Sequence, residues 1–300
     1  MIYTLGESLL DIIFSDPNQI TAKAGGGMLN TAVSLSRAGV EVSLISELGD
    51  DKTASIIINF LEQNNIHCQH IKKYYHQTTS VAVAHLNELK VPSFSIYKSY
   101  PKNRRLIQPK KFTKNDILIF GSLYSIDPEI RSEVVEIIVN AKKGGALLIY
   151  DPNIRRHNLD QPEFRAALNE NFSFAHIIKG SEEDFLNIFG NQTNGIYHDE
   201  IRKINKDAYF VITMGEKGVT GYKYVDKLDL PAKEIKVVST IGAGDAFNAG
   251  MAYFLFNYGV RKVLDNSTNK TFLEGMLCSG LEFSAKVCST LDNYIPNKPG

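Results

Sequence analysis

An α/β fold is predicted for this 300-residue chain, with a largely parallel central sheet covered by helices on both faces. Three observations carry that prediction. Apolar runs of strand length alternate with helical stretches along most of the sequence. Glycine-rich turns stand immediately before two of the helical stretches. Only two regions break the rhythm, and both are β-rich.

Taken in order, residues 2–14 are rich in Ile and Leu and read as one strand. Residues 29–38 form a short helix stopped by Gly39. A strand over 41–46 precedes an apolar helical face over 53–63. Residues 117–120 are a strand of the fully buried type, and Asp127 is placed to cap a helix running through Ala141. Strands at 146–150, Ile177-Ile178 and 208–213 follow, with a helix over 182–189. The first irregular region is a short extended piece at 19–23. The second holds two β-rich runs, 80–85 and 92–97, around a polar Asn87-Glu88 turn. With no helix between them, these runs pair antiparallel. The chain is therefore read as one domain over 1–300, in which segments 12–24 and 74–100 build a small β subdomain. That subdomain is either a flap over a cleft or a surface decoration. Residues 297–300 read as a loose tail.

Hydrophobic residues make up 43% and charged residues 22%, the balance of a globular chain rather than a disordered one. Lys+Arg and Asp+Glu are both 33, so no global field attracts nucleic acid. No apolar run approaches the roughly 20 residues that span a bilayer. The N-terminus lacks a basic region and is interrupted by Glu7 and Asp11, unlike a signal peptide. A cytoplasmic location is the expectation. The cysteines, Cys68, Cys278 and Cys288, are odd in number and spaced for neither a disulfide framework nor a zinc site. Cys278 reads as core.

Two glycine clusters carry the chemistry. Gly25-Gly26-Gly27 precedes Met28-Leu29-Asn30, and Gly242-Ala243-Gly244 precedes Asp245-Ala246-Phe247-Asn248. Glycine lets backbone approach a ligand, and a helix N-terminus offers free N–H groups and a positive dipole end. Neither cluster is a Walker A loop or a dinucleotide fingerprint. Asp245 is the informative residue. A carboxylate beside a row of amides repels phosphate unless it serves the reaction. As a general base it takes a proton from an attacking hydroxyl while the amides of Gly242, Ala243 and Gly244 stabilise the transferring phosphoryl group. This arrangement suits a kinase that is not of the P-loop type. Asn153 and Arg155 stand just beyond a buried strand, where α/β folds collect ligands.

On these residues the chain resembles the ribokinase/PfkB family of sugar kinases. Ser239-Thr240-Ile241-Gly242-Ala243-Gly244-Asp245-Ala246-Phe247 is similar to its C-terminal signature, and Gly25-Gly26-Gly27-Met28-Leu29-Asn30 to its N-terminal one. Gly49-Asp50-Asp51 follows at the family's distance, and Thr213-Met214-Gly215-Glu216-Lys217-Gly218 resembles its nucleotide segment. Within the family, Gly6-Glu7-Ser8-Leu9-Leu10-Asp11, Phe120-Gly121-Ser122 and Asp151-Pro152-Asn153-Ile154-Arg155 are most similar to fructokinases.

The resemblance implies a ribokinase-like three-layer sandwich with a small β lid, ATP and Mg2+ as co-substrate and cofactor, and a sugar acceptor. It implies that Asp11, Gly26, Gly27, Asn30, Asn153 and Arg155 bind the sugar. Ser181, Thr213, Gly215, Gly218 and Gly244 would bound the nucleotide, with Cys288 brushing the adenine pocket. Glu183 and Asp184 would act on magnesium through water. A homodimer through the lid is implied as well.

Three departures stand out. Ser239 replaces the Asp that relatives associate with a potassium ion, so a potassium site is expected to be weak or absent. Ala54 replaces a glycine, and Ser181-Glu182-Glu183-Asp184 carries Ser for Asn and Asp for Glu. The expected reaction is phosphorylation of fructose to fructose 6-phosphate. The alternatives are ribose, a keto-deoxy sugar acid or a nucleoside as acceptor, or a catalytically silent binding protein. Arg104 and Arg105 are the cations nearest the lid stretch, and would favour a sugar phosphate if they faced the sugar motifs.

Overall fold

The computed structural model describes residues 1–16, 19–86, 92–154, 161–265 and 268–297. Its main sheet takes strands β1 (Ile2–Leu5), β4 (Val42–Gly49), β5 (Ile71–Tyr74), β8 (Ile117–Gly121), β9 (Leu147–Asp151), β10 (Ile177–Ser181), β11 (Tyr209–Thr213), β12 (Val219–Lys223) and β13 (Asp226–Leu230). The spatial order is β13-β12-β11-β10-β9-β8-β1-β4-β5. Pairing is parallel from β11 to β5, and antiparallel where β12 joins β11 and β13 joins β12.

The strands are buried on both faces, so successive residues feed two separate cores. Ile117 and Ile119 of β8 face one core, and Leu118 and Phe120 face the other. The first core is closed by α1 (Gly27–Arg37), α2 (Lys52–Gln63), α7 (Ala243–Tyr258), α8 (Val260–Leu264) and α9 (Lys270–Cys288). The second is closed by α3 (Arg131–Lys143), α4 (Pro162–Phe174), α5 (Glu182–Phe189) and α6 (Asn194–Ile204). This is the three-layer sandwich expected from the sequence.

A separate four-stranded sheet has the order β3-β2-β6-β7, from β2 (Leu9–Asp16), β3 (Gln19–Gly25), β6 (Val81–Leu86) and β7 (Pro92–Tyr97). The β6–β7 pair is antiparallel, as its sequence pattern predicts. The Asn87-Glu88 turn lies outside the described residues.

Three local expectations are corrected. Residues 2–14 are two strands in two sheets, not one. The chain leaves the main sheet at Gly6, whose N–H donates to the Ile45 carbonyl at 3.2 Å. At the same corner Ser46 Oγ donates to Ser8 Oγ at 2.9 Å. Both halves are apolar, so hydrophobicity alone does not mark the break. Asp127 does not cap α3, which starts at Arg131 after Ile130 without a side-chain cap. The Asp127 carboxylate is taken by the buried Arg104, whose Nη1 donates to Oδ2 at 3.0 Å. Cys278 is exposed on α9 rather than in the core. Among the described residues no helix is long and apolar enough to cross a membrane.

Candidate active site

The site forms at the C-terminal ends of β9, β10 and β11, where the glycine turn before α7 meets the small sheet. Gly242 is the N-cap of α7 and adopts φ 80°. A β-carbon there would lie 2.2 Å from the Asn293 carbonyl oxygen, so the left-handed turn and the close approach both require glycine. The turn is pinned by several contacts. Ser239 Oγ accepts from the Ile241 N–H at 3.2 Å. Val238 N–H donates to the Cys288 carbonyl at 2.8 Å. Ser284 Oγ donates to the Ala243 carbonyl at 2.7 Å. The expected row of three amides is incomplete, because the Ala243 N–H donates to the Thr240 carbonyl at 3.2 Å. Among the described residues the amides of Gly242 and Gly244 have no acceptor.

Asp245 sits in the first turn of α7, half-buried at the wall of a cleft. Asn30 of α1 donates from Nδ2 to its Oδ2 at 2.9 Å. Burial pushes the carboxyl up to about 7; the Asn30 hydrogen bond and Lys179 pull it down, while Asp151 and Asp11 add to the rise. A carboxylate with this pKa is matched to proton abstraction near neutral pH.

The cleft has a volume of about 370 Å³ and is lined by Asp11, Gly26, Gly27, Asn30, Asn153 and Asp245 among others. Gly26 caps α1 with φ 120°, and a β-carbon would lie 2.2 Å from the Glu7 carbonyl oxygen. This tight crossing brings the start of α1 against the strand that carries Asp11. Asp11 is buried on β2, and its carboxyl is also pushed up to about 7 by burial, with Glu7 adding to the rise. Asn153 holds φ 43°, a left-handed conformation that Asn tolerates. Ala82 and Ile96 of the small sheet form part of the wall. Arg155 lies outside the described residues.

Beside the cleft runs a trough of about 730 Å³ lined by Thr213, Gly215, Gly218, Ala243, Gly244 and Cys288, with Ile235, Val237, Phe247 and Leu281 as its apolar walls. A flat heterocycle fits such walls, and phosphates fit its glycine-rich end. Thr213 and Gly244 line both cavities, so the two meet at the first turn of α7.

Ser181 and Asp184 line the cleft rather than the trough. They form a capping box at the start of α5: the Ser181 N–H and Oγ–H both donate to Asp184 Oδ2, at 2.7 and 2.6 Å. Asp184 Oδ1 accepts from the Ile154 N–H at 2.7 Å. Glu183 is exposed and lines neither cavity. No group of three His, Cys, Asp or Glu side chains converges to hold a metal among the described residues. The donor set fits magnesium that arrives on nucleotide phosphates and keeps its water, not a protein cage.

Sequence reasoning missed one element of the site. Lys179 of β10 is buried and donates to Asp151 Oδ2 at 2.8 Å, and Asn248 Nδ2 donates to the same oxygen at 2.5 Å. The available signal was a lysine inside the otherwise apolar run Ile177-Ile178-Lys179-Gly180. Neither Arg104 nor Arg105 lines the cleft. Arg104 is buried against Glu47 and Asp127, and Arg105 pairs with Glu133 at 2.7 Å.

The chain is 28% identical over 262 residues to a fructokinase of Rhizobium leguminosarum bv. trifolii, covering 84% of this chain and 78% of that protein. It is 29% identical over 265 residues to a putative sugar kinase of Pyrococcus horikoshii, covering 84% and 81%. In fold it superposes on a Vibrio cholerae O395 fructokinase double mutant, solved with fructose, ADP and potassium ion bound, with TM-score 0.85 and 23% identity over 97% of this chain and 93% of that one. It also superposes on aminoimidazole riboside kinase from Salmonella enterica, complexed with aminoimidazole riboside and an ATP analog, with TM-score 0.82 and 19% identity over 97% and 94%. Residues 3–274 match the pfkB family carbohydrate kinase, and on that match the chain belongs to this family of sugar kinases.

Proposed function

We propose that this protein transfers the γ-phosphoryl group of ATP to a hydroxyl of a small neutral sugar, with fructose as the acceptor and fructose 6-phosphate as the product. The observation that carries the reading is the position of Asp245. It lies where an acceptor cleft and a nucleotide-sized trough share Thr213 and Gly244.

Asp11, Asn30 and Asn153 grip the acceptor hydroxyls, with Gly26 and Gly27 allowing close backbone contact. Asp245 takes the proton of the attacking hydroxyl. The amides of Gly242 and Gly244 receive charge on the transferring phosphoryl group. Thr213, Gly215 and Gly218 border the nucleotide phosphates, and the apolar wall with Cys288 receives the base. Magnesium, when bound, neutralises phosphate charge; the chain's own part is to orient both substrates and move the proton.

The choice of a neutral acceptor rests on charge. The described walls of the cleft carry Glu7, Asp11, Asp151, Asp184 and Asp245 against Lys179, which is already paired with Asp151. A phosphorylated sugar or a sugar acid meets like charge there. The testing experiment is ATP turnover with fructose, ribose, a keto-deoxy sugar acid, fructose phosphates and adenosine. Highest kcat/KM for fructose supports the reading. Highest kcat/KM for a nucleoside reassigns the acceptor, and no turnover with any of them points to a silent binding protein.

A further inference from the structure

Lys179 has no part in the reaction as described so far, yet its placement is unusual. A lysine in the centre of a sandwich is costly to bury unless its charge is paired. Its side chain is 4% exposed, and Asp151 supplies the pair at 2.8 Å. Burial alone lowers its pKa, but the Asp151 contact outweighs this and raises it, so the ammonium stays charged. Nζ also donates to the Gly244 carbonyl at 3.3 Å. A lysine ammonium has three N–H donors. Two are accounted for, and Lys179 lines the acceptor cleft. A β-carbon added to Gly244 would sit 3.2 Å from Nζ, so the charge lies directly under the turn shared by cleft and trough.

That location matters because helix α7 begins there. The helix N-terminus, the unpaired amides of Gly242 and Gly244, and the Lys179 ammonium put positive potential at one point. The surrounding groups are acidic: Asp11 from β2, Asp151 from β9, Asp184 from α5 and Asp245 from α7 itself. A phosphoryl group passing this point needs a cation that those carboxylates do not supply.

Resting on the kinase reading above, we propose that Lys179 is a further catalytic residue, whose third N–H meets an oxygen of the phosphoryl group as it passes from trough to cleft. In that step the acceptor oxygen forms a bond to phosphorus and its proton goes to Asp245. The bond from phosphorus to the bridging oxygen breaks, and ADP leaves with the electron pair. Lys179 stays protonated throughout and stabilises charge on the equatorial oxygens.

A structural role for the pair predicts different behaviour, and a double variant separates the two. Lys179→Met leaves Asp151 buried without its partner, so this variant alone can fail by misfolding. Adding Asp151→Asn removes the stranded carboxylate while leaving the ammonium absent. The readouts are thermal stability, ADP affinity, turnover with fructose, and ATP hydrolysis without acceptor. The last keeps the test valid if the acceptor is another sugar. We expect K179M/D151N to melt near the wild type and bind ADP within a few-fold. Both turnover readouts should fall by about 10²–10³-fold, the usual loss for one transition-state donor. The conservative Lys179→Arg variant, which keeps a cation beside Asp151, should retain far more turnover than Lys179→Met at equal stability. A stable double variant with turnover within about threefold of wild type overturns the proposal and leaves Lys179 a structural ion pair. Wild-type protein that turns over ATP with no acceptor in the panel and shows no hydrolysis overturns the kinase reading and this inference with it.

Discussion

Asn30 and Asp245, 215 residues apart, are joined by a 2.9 Å hydrogen bond from the Asn30 side-chain amide to Asp245 Oδ2. The bond ties the N-terminal glycine loop to the C-terminal one and stabilises the ionised form of the carboxyl. Because burial lifts that carboxyl to about 7, kcat should decline as pH falls through about 7, where the base becomes protonated. Asn30→Leu removes a contribution that lowers the pKa. The acid limb of the kcat profile should therefore move upward, by roughly half to one pH unit. A profile unchanged at saturating acceptor would separate Asn30 from the titration of Asp245.

Asp245→Asn should retain the fold and ADP binding while turnover drops by about 10²–10⁴-fold. Stability gives an independent sign. The folded pKa lies above the unfolded value, so the folded state holds the proton more tightly. The wild-type contribution is complete below the unfolded pKa and is lost as pH rises through about 7. The Tm of the Asn variant relative to wild type should thus increase between pH 5 and pH 8. Scanning calorimetry across that window checks it; a difference that shrinks with pH contradicts the assignment.

Acceptor charge is the next measurement. Arg104 is locked between Glu47 and Asp127, so it is not available to a substrate phosphate. Fructose should show a higher kcat/KM than fructose 1-phosphate or fructose 6-phosphate, by at least about 10²-fold if like charges repel at the cleft wall. Preference for a phosphorylated sugar would overturn the neutral-acceptor reading.

Potassium should matter little. Ser239 supplies a neutral oxygen where charge would hold a cation, and that oxygen already accepts the Ile241 N–H. The turn is held instead by Cys288, Ser284 and Thr240 contacts. Replacing potassium by a bulky organic cation at equal ionic strength should change kcat and ATP KM by less than about twofold, since no large binding energy is lost. Ser239→Ala should loosen the turn and raise ATP KM.

The small sheet is proposed as a lid. Asp51 fixes its root: Thr79 donates to the Asp51 carboxylate from its N–H at 3.0 Å and from Oγ1 at 2.7 Å. Saturating fructose should slow hydrogen exchange across β2, β3 and β6, which closure orders. Unchanged exchange would leave the sheet as a permanent contact. Ile20 and Tyr97 are 60% and 64% exposed, and they are the residues through which we propose a second copy docks. Sedimentation reads that separately.

The α/β alternation and both glycine turns were legible because their signals are local. A strand of Ile and Leu, or a glycine before a helix, states its conformation within a few residues. The placement of Asp245 beside the glycine turn was legible for the same reason, since the two are neighbours in the chain. Asp127 was misplaced because its nearest helix looked like its partner, whereas the buried Arg104 competes for it from 23 residues away. The place of Lys179 in the site was missed for a related reason. Its meaning depends on Asp151, 28 residues off, and on Asn248, which reaches the same oxygen from helix α7. Ala243 shows a finer limit. Its amide belongs to the anion row by sequence, but the turn from Thr240 captures it.

Asp11 belongs to the small sheet, and Asp245 to the helix beneath it, yet both face one cleft. A molecule that engages both must be wide enough to bridge the two bodies. Because Asp11 stands on a strand of the small sheet and Asp245 on α7, any shift of that sheet against the helix changes the span a ligand must bridge.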